Sequence, residues 1–204
     1  MLKWLTCLLT FAHAQDLPLW KVKDKLFERV KNGEVVVLVR EAKVKSAVPN
    51  EKRLEIEGGG HVAASRSVVF TVAQRYEELP SFSDFIKSSK FNPATSLITL
   101  EVSAFGYATS MDVWVKAHQI EQKSELKYEV KTGPMAGLTG RVTMTELQRA
   151  KTEVGLEGEF KYTQFPLPQL FLEYGLEFAF RRLAWRLRTH AEQEHRKNER
   201  TLHP

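Results

Sequence analysis

The side chains able to do acid–base or nucleophilic chemistry are few and scattered. Between the N-terminal leader-like segment and the C-terminal helical segment the only histidines are His61 and His118. They fall on different strand-like stretches, and nothing in their spacing provides the orienting partner that a catalytic base requires. Glu101 and Asp112 alternate out of phase with the apolar residues around them, which puts both carboxylates on a solvent face. Tyr128 and Tyr174 are in phase with apolar neighbours, so each is expected to carry a phenol into an apolar interior. There it needs a hydrogen-bond partner, which a ligand headgroup or a backbone carbonyl could supply. Gly140 and Gly158 occupy inward positions of strand-like segments, where the missing side chain either leaves volume for a ligand or permits strong sheet curvature.

No HExxH, CxxC, GxSxG, Walker or GxGxxG pattern is present, so no metal, cofactor or catalytic residue is assigned. Gly58-Gly59-Gly60 lacks the following helix and the Lys-Ser/Thr of a phosphate loop. It reads instead as a bulge or a place where another part of the chain approaches the backbone closely.

The elements that position these residues follow from apolar periodicity. Residues 19 to 31 place Leu19, Val22, Leu26 and Val30 at helical spacing, and Asn32-Gly33 closes the segment as a helix C-terminus does. Two strands joined by the Pro49-Asn50 turn follow, over 34 to 44 and from Leu54 to Ala64. Ser65 then caps a helix carrying Val68, Val69, Val72 and Tyr76. Pro80 is expected to end that helix, with Phe82, Phe85 and Ile86 beginning a second short one. After Pro93 the period becomes two, in five segments: Ile98 to Ala104, Met111 to Lys116, Leu126 to Val130, Leu138 to Met144, and Val154 to Phe160. Short connections favour an antiparallel meander with a wholly apolar inner face.

From Pro166 to about Arg196 one unbroken helix is expected. Leu167, Leu170, Phe171, Tyr174, Phe178 and Trp185 form one apolar stripe, and Leu172, Leu176, Phe180, Leu183 and Leu187 form a second on the opposite side. The first stripe is expected to face the sheet.

The chain has 204 residues, 43% hydrophobic and 27% charged, which places it in the globular range and outside disordered or collagenous classes. A net charge of +5 permits an anionic partner without requiring one, and no nucleic-acid-binding motif accompanies it, so nucleic acid is not expected. Met1 to Ala14 has the layout of a secretory signal peptide: Lys3, an apolar run from Trp4 to Phe11, then Ala12-His13-Ala14. The expected location is therefore secreted or periplasmic. The only cysteine, Cys7, lies in this segment, so the mature chain contains none to pair or to bind metal.

The order of elements and the local text resemble the START-like (SRPBCC) helix-grip superfamily, of the polyketide cyclase and lipid-transfer type. The stretch Ala73 to Phe82, AQRYEELPSF, is similar to the helix–turn of that branch. Gly133 to Leu138 looks like its hairpin between central strands, and Phe165 to Pro168, with Arg186-Leu187-Arg188 and Glu192 further on, is similar to its C-terminal helix. The resemblance spans about Leu54 to Glu192. It implies an α+β helix-grip fold: a curved antiparallel sheet wrapped around a long C-terminal helix, with two short helices after the first strands. Between sheet and helix it implies an apolar cavity for a lipid, sterol or polyketide-like molecule.

The expected organisation is a signal peptide over 1–14, an N-terminal helix and strand extension over 15–53, the helix-grip domain over 54–196 and a charged tail over 197–204. The expected function is that of an exported carrier or sensor. Its ligand would contact Val102, Val113, Tyr128, Gly140, Met144, Leu156, Gly158, Phe171, Tyr174 and Phe178. The alternatives are a cyclase or aromatase using the same cavity, and a module that binds a partner or an anionic membrane surface through its basic C-terminal helix.

Overall fold

The computed structural model describes residues 17–42, 48–104, 106–121, 123–165 and 169–202. The signal-like segment lies outside these. Eight strands form one antiparallel sheet: β1 (Val36–Ala42), β2 (Lys52–Val62), β3 (Ile86–Asn92), β4 (Leu97–Ala104), β5 (Tyr107–Ile120), β6 (Lys123–Val130), β7 (Thr139–Gln148) and β8 (Lys151–Tyr162). The order across the sheet is β1-β2-β8-β7-β6-β5-β4-β3, so the strands from β3 to β8 run as a meander and the β1–β2 hairpin closes onto β8. Between β2 and β3 lie α3 (Arg66–Ala73), a 3-10 turn at Tyr76–Glu78, and α4 (Leu79–Phe82). The last described element is α5 (Gln169–Leu202), 34 residues or about 50 Å long. This is the helix-grip arrangement.

Before the sheet come α1 (Leu19–Val22) and α2 (Asp24–Lys31), separated by the extended residue Lys23, where one continuous helix was expected. They pack on the outer face of β1 and β2, where Trp20, Val30 and Val36 form a small core of their own. Helix α2 ends in a Schellman motif: Gly33, at φ 86°, donates its N–H to the Val30 carbonyl, and Glu34 donates to Arg29. Trp20 also accounts for the middle residue of the triple glycine. A side chain on Gly59 would overlap the Trp20 ring, and the pairing of β2 with β1 and β8 runs through the glycines in unbroken register. The motif therefore serves a close approach, not a bulge.

Two further expectations are corrected. Pro80 lies in the first turn of α4 instead of ending a helix, a position where its missing N–H costs nothing. Phe85 and Ile86 do not begin a helix, since the chain leaves α4 at the extended residue Ser83 and Ile86 opens the edge strand β3. The sequence IKSSKFN has no clean alternation because this edge strand pairs only with β4 and carries a register shift between Ile86 and Ser88. The anticipated boundary between 53 and 54 falls inside β2, and α5 continues beyond 197 to Leu202.

Helix α5 is fixed to the rest of the chain by polar contacts as well as by packing. Arg188 donates to the Gly33 carbonyl and to the Glu192 carboxylate, and the same carboxylate accepts the Ala63 N–H that follows β2. At the far side of the helix Arg182 pairs with Asp84, and Phe178 meets Phe85 edge-on with ring centroids 5.8 Å apart.

Candidate functional site

The inner face of the sheet is set by strand phase. Val115 on β5, Tyr128 on β6, Gly140 on β7, Gly158 on β8 and Ile56 on β2 are successive register partners and form one row across it. Leu126, Val142 and Leu156 form the next row, and Ser124, Met144 and Val154 the one after.

Two closed cores bound this surface. At one end Leu54, Val130, Leu138, Phe160 and Leu172 are buried together. At the other Val62, Phe82, Leu126, Met144 and Ala191 are. Between them the packing is incomplete on both sides. Val113, Val142, Val154 and Leu156 on the sheet, and Leu176, Phe180, Leu183 and Leu187 on α5, pack against the two cores yet remain only half-buried. A belt of aliphatic and aromatic carbon thus lies between sheet and helix without being fully covered by protein.

Tyr128 crosses this belt. Its hydroxyl lies where the side chain of Gly140 would be and 2.9 Å from a Cβ placed on Gly158. The two glycines therefore make room for the phenol, and the volume expected there for a ligand is occupied by Tyr128. The hydroxyl is buried and has no hydrogen-bond partner, and burial pushes the phenol well above its ordinary pKa of 10.0. It stays protonated and can donate. Ser124, two rows along the same strand, has a fully buried hydroxyl that is also unpartnered. Sequence reasoning did not single out Ser124, although it continues the phase of Leu126, Tyr128 and Val130.

The other expected contacts divide. Val113 and Leu156 lie in the belt, Val102 is half-buried nearer the β3 edge, and Met144 is wholly enclosed in the core, with 1% exposed. Phe171 lies in α5, but its side chain, like those of Leu167 and Leu170, falls outside the described residues. Tyr174 and Phe178 are 66% and 48% exposed, so the stripe of α5 expected to face the sheet faces outwards and the Leu172–Leu187 stripe faces inwards. The signal was present in the charge pattern. Arg181 falls three residues after Phe178 and four before Trp185, inside the outward stripe, whereas no charged residue interrupts the leucine stripe at that spacing.

The carboxylates and histidines lie where their phase puts them. Asp112 accepts hydrogen bonds from the hydroxyls of Thr99 and Thr132 on the outer face. His61 pairs in register with Glu153 on the outer side of β2, and His118 lies on β5, with three strands between them in the sheet order. No acid–base pair is assembled from them. Two grooves occur among the described residues. One of 150 Å3 lies between α3 and the end of α5, lined by residues including Arg75 and Glu194. A more open one of 500 Å3 lies on the outer sheet face, lined by Tyr128, Gly140 and Gly158 together with charged residues including Lys127, Glu129, Arg141 and Glu157. Both have charged walls, unlike the belt.

No protein-family model and no curated protein matches the chain. Among solved structures the fold is similar to a START superfamily protein from Mycobacterium smegmatis, at 16% identity and a TM-score of 0.57, covering 68% of this chain and 97% of that one. It is similar to a STAR-related lipid transfer protein fragment from Xanthomonas axonopodis, at 13% identity and a TM-score of 0.57, covering 75% and 98%. It is also similar to the Zhui aromatase/cyclase from Streptomyces sp. R1128, at 14% identity and a TM-score of 0.56, covering 69% and 94%.

Proposed function

We propose that this chain, whose fold is the START-like helix grip, is an exported carrier or sensor that holds an apolar small molecule between the sheet and α5. The observation that carries this reading is the half-buried apolar belt bounded by two closed cores. Aliphatic side chains on both walls keep contact area that a hydrocarbon would cover, at roughly 25 cal/mol per Å2 before ordering costs. Similarity to a lipid transfer protein and to an aromatase/cyclase supports a lipid, sterol or polyketide-like ligand. Export rests on the signal-like text of Met1 to Ala14.

The test is displacement of a hydrophobic fluorophore by lipids extracted with the purified protein and identified by mass spectrometry. Leu156→Phe and Val142→Phe should fill the belt, lowering binding at least tenfold with little change in melting temperature. If the belt is already closed, the same variants overpack it, cost about 1–3 kcal/mol and leave no binding to lose. That result would overturn the reading. Protein from the native host should begin at or near Gln15.

A further inference from the structure

The outward stripe of α5 is only partly covered among the described residues, by Phe85 against Phe178. Tyr174, Phe178 and Trp185 are 66%, 48% and 47% exposed and lie within a narrow arc, over about 16 Å of helix. Arg181 falls within the same arc, with Arg182 and Arg186 on its flank. The guanidinium groups of Arg182 and Arg186 sit 5.8 and 5.7 Å from the Trp185 ring centre, holding positive charge beside the exposed indole. Among the described residues Glu177 pairs with Arg181 and Asp84 with Arg182.

We infer that this face of α5 docks on a bilayer surface carrying anionic headgroups, with the three aromatic rings at the interface and the arginines among the phosphates. Tyr and Trp favour this boundary because one end of each ring is apolar and the other can hydrogen-bond. Arginine beside exposed aromatics on a helix lying flat is the arrangement of interfacial helices. No described helix is long and apolar enough to cross a membrane. A second copy suits the stripe less well, since a symmetric contact would set Arg181, Arg182 and Arg186 against the same arginines. The stripe adjoins Asp84 and Phe85 at the start of β3, which places the docked face beside one edge of the sheet–helix layer.

The experiment is cosedimentation of the full chain with phosphatidylcholine vesicles, with and without phosphatidylglycerol. Binding should require phosphatidylglycerol and weaken with salt. Arg186→Gln should lower the partition coefficient about fivefold, and Trp185→Ser about tenfold, with melting temperature and fluorophore binding unchanged. The inference is overturned if the parent chain ignores phosphatidylglycerol vesicles, binds both vesicle types equally, or binds no better than the two variants. It is equally overturned if sedimentation velocity shows a dimer that Trp185→Ser dissociates, because the stripe is then covered by a second copy.

Discussion

The hydroxyl of Tyr128 occupies the space that a side chain on Gly140 would fill, so a strand-centre glycine and a tyrosine on the neighbouring strand form one packing unit. Gly140→Ala would also press its methyl group on the Glu157 carbonyl, which cannot swing away as a side chain can. We expect it to cost about 3 kcal/mol in chemical denaturation. At Gly158 the nearest atoms are the Tyr128 hydroxyl at 2.9 Å and the Thr139 carbonyl at 3.1 Å, so Gly158→Ala should cost less, about 1 kcal/mol. Equal costs would show that the phenol does not rest on Gly140.

Tyr128→Phe removes a buried hydroxyl that has no protein partner. Its stability should therefore be unchanged or raised by about 1 kcal/mol, where a satisfied tyrosine would lose a similar amount. If the phenol donates to a ligand in the belt, affinity for ligands with a carbonyl or hydroxyl acceptor should fall about fivefold, while that for pure hydrocarbons should not change. Titration calorimetry with matched ligand pairs separates the two outcomes.

The orientation of α5 is checked by truncating one residue from each stripe. Leu172 is 4% exposed within the core that contains Leu54 and Phe160, and Leu172→Ala should cost about 2–5 kcal/mol. Phe178→Ala, on the outward stripe, should cost about 1 kcal/mol or less. The reverse ranking would mean that the helix is rotated by half a turn.

His61 supplies a pH dependence. Burial and, after it, the Lys151 ammonium hold its imidazole below the ordinary pKa of 6.5, with Lys21 and Arg188 adding to the effect and Glu153 opposing it. Below pH 6.5 the unfolded chain thus binds a proton that the folded chain resists. Stability from this group should be fully present above 6.5 and fall as pH drops, until the folded-state pKa is passed. His61→Asn should flatten that part of the melting-temperature profile, and an unchanged slope would assign the dependence to other groups.

The period-two segments from Ile98 to Phe160 determined the meander and its inner face by themselves, because an inward-facing strand residue must be apolar at every second position. The signals at Asn32-Gly33 and at Gly133 to Leu138 were equally local: the end of α2 and the β6–β7 connection need glycine at positive φ, at Gly33, Gly133 and Gly137. Strand β3 was not legible, since IKSSKFN at a sheet edge makes few demands on its outer side. The use of Gly59 was not legible either, as its constraint is Trp20, distant in sequence and brought over the sheet by α1. For α5, periodicity alone established two apolar stripes but could not rank them. The tertiary structure decided, because β1 and β2 pack against the helix on its Leu172 side, with Val37 and Leu54 in the same buried cluster as Leu172. Likewise, inward phase at Tyr128, Gly140 and Gly158 was plain in the sequence. That the first fills the space left by the other two depends on register across β6, β7 and β8, which pairs residues that no local pattern connects.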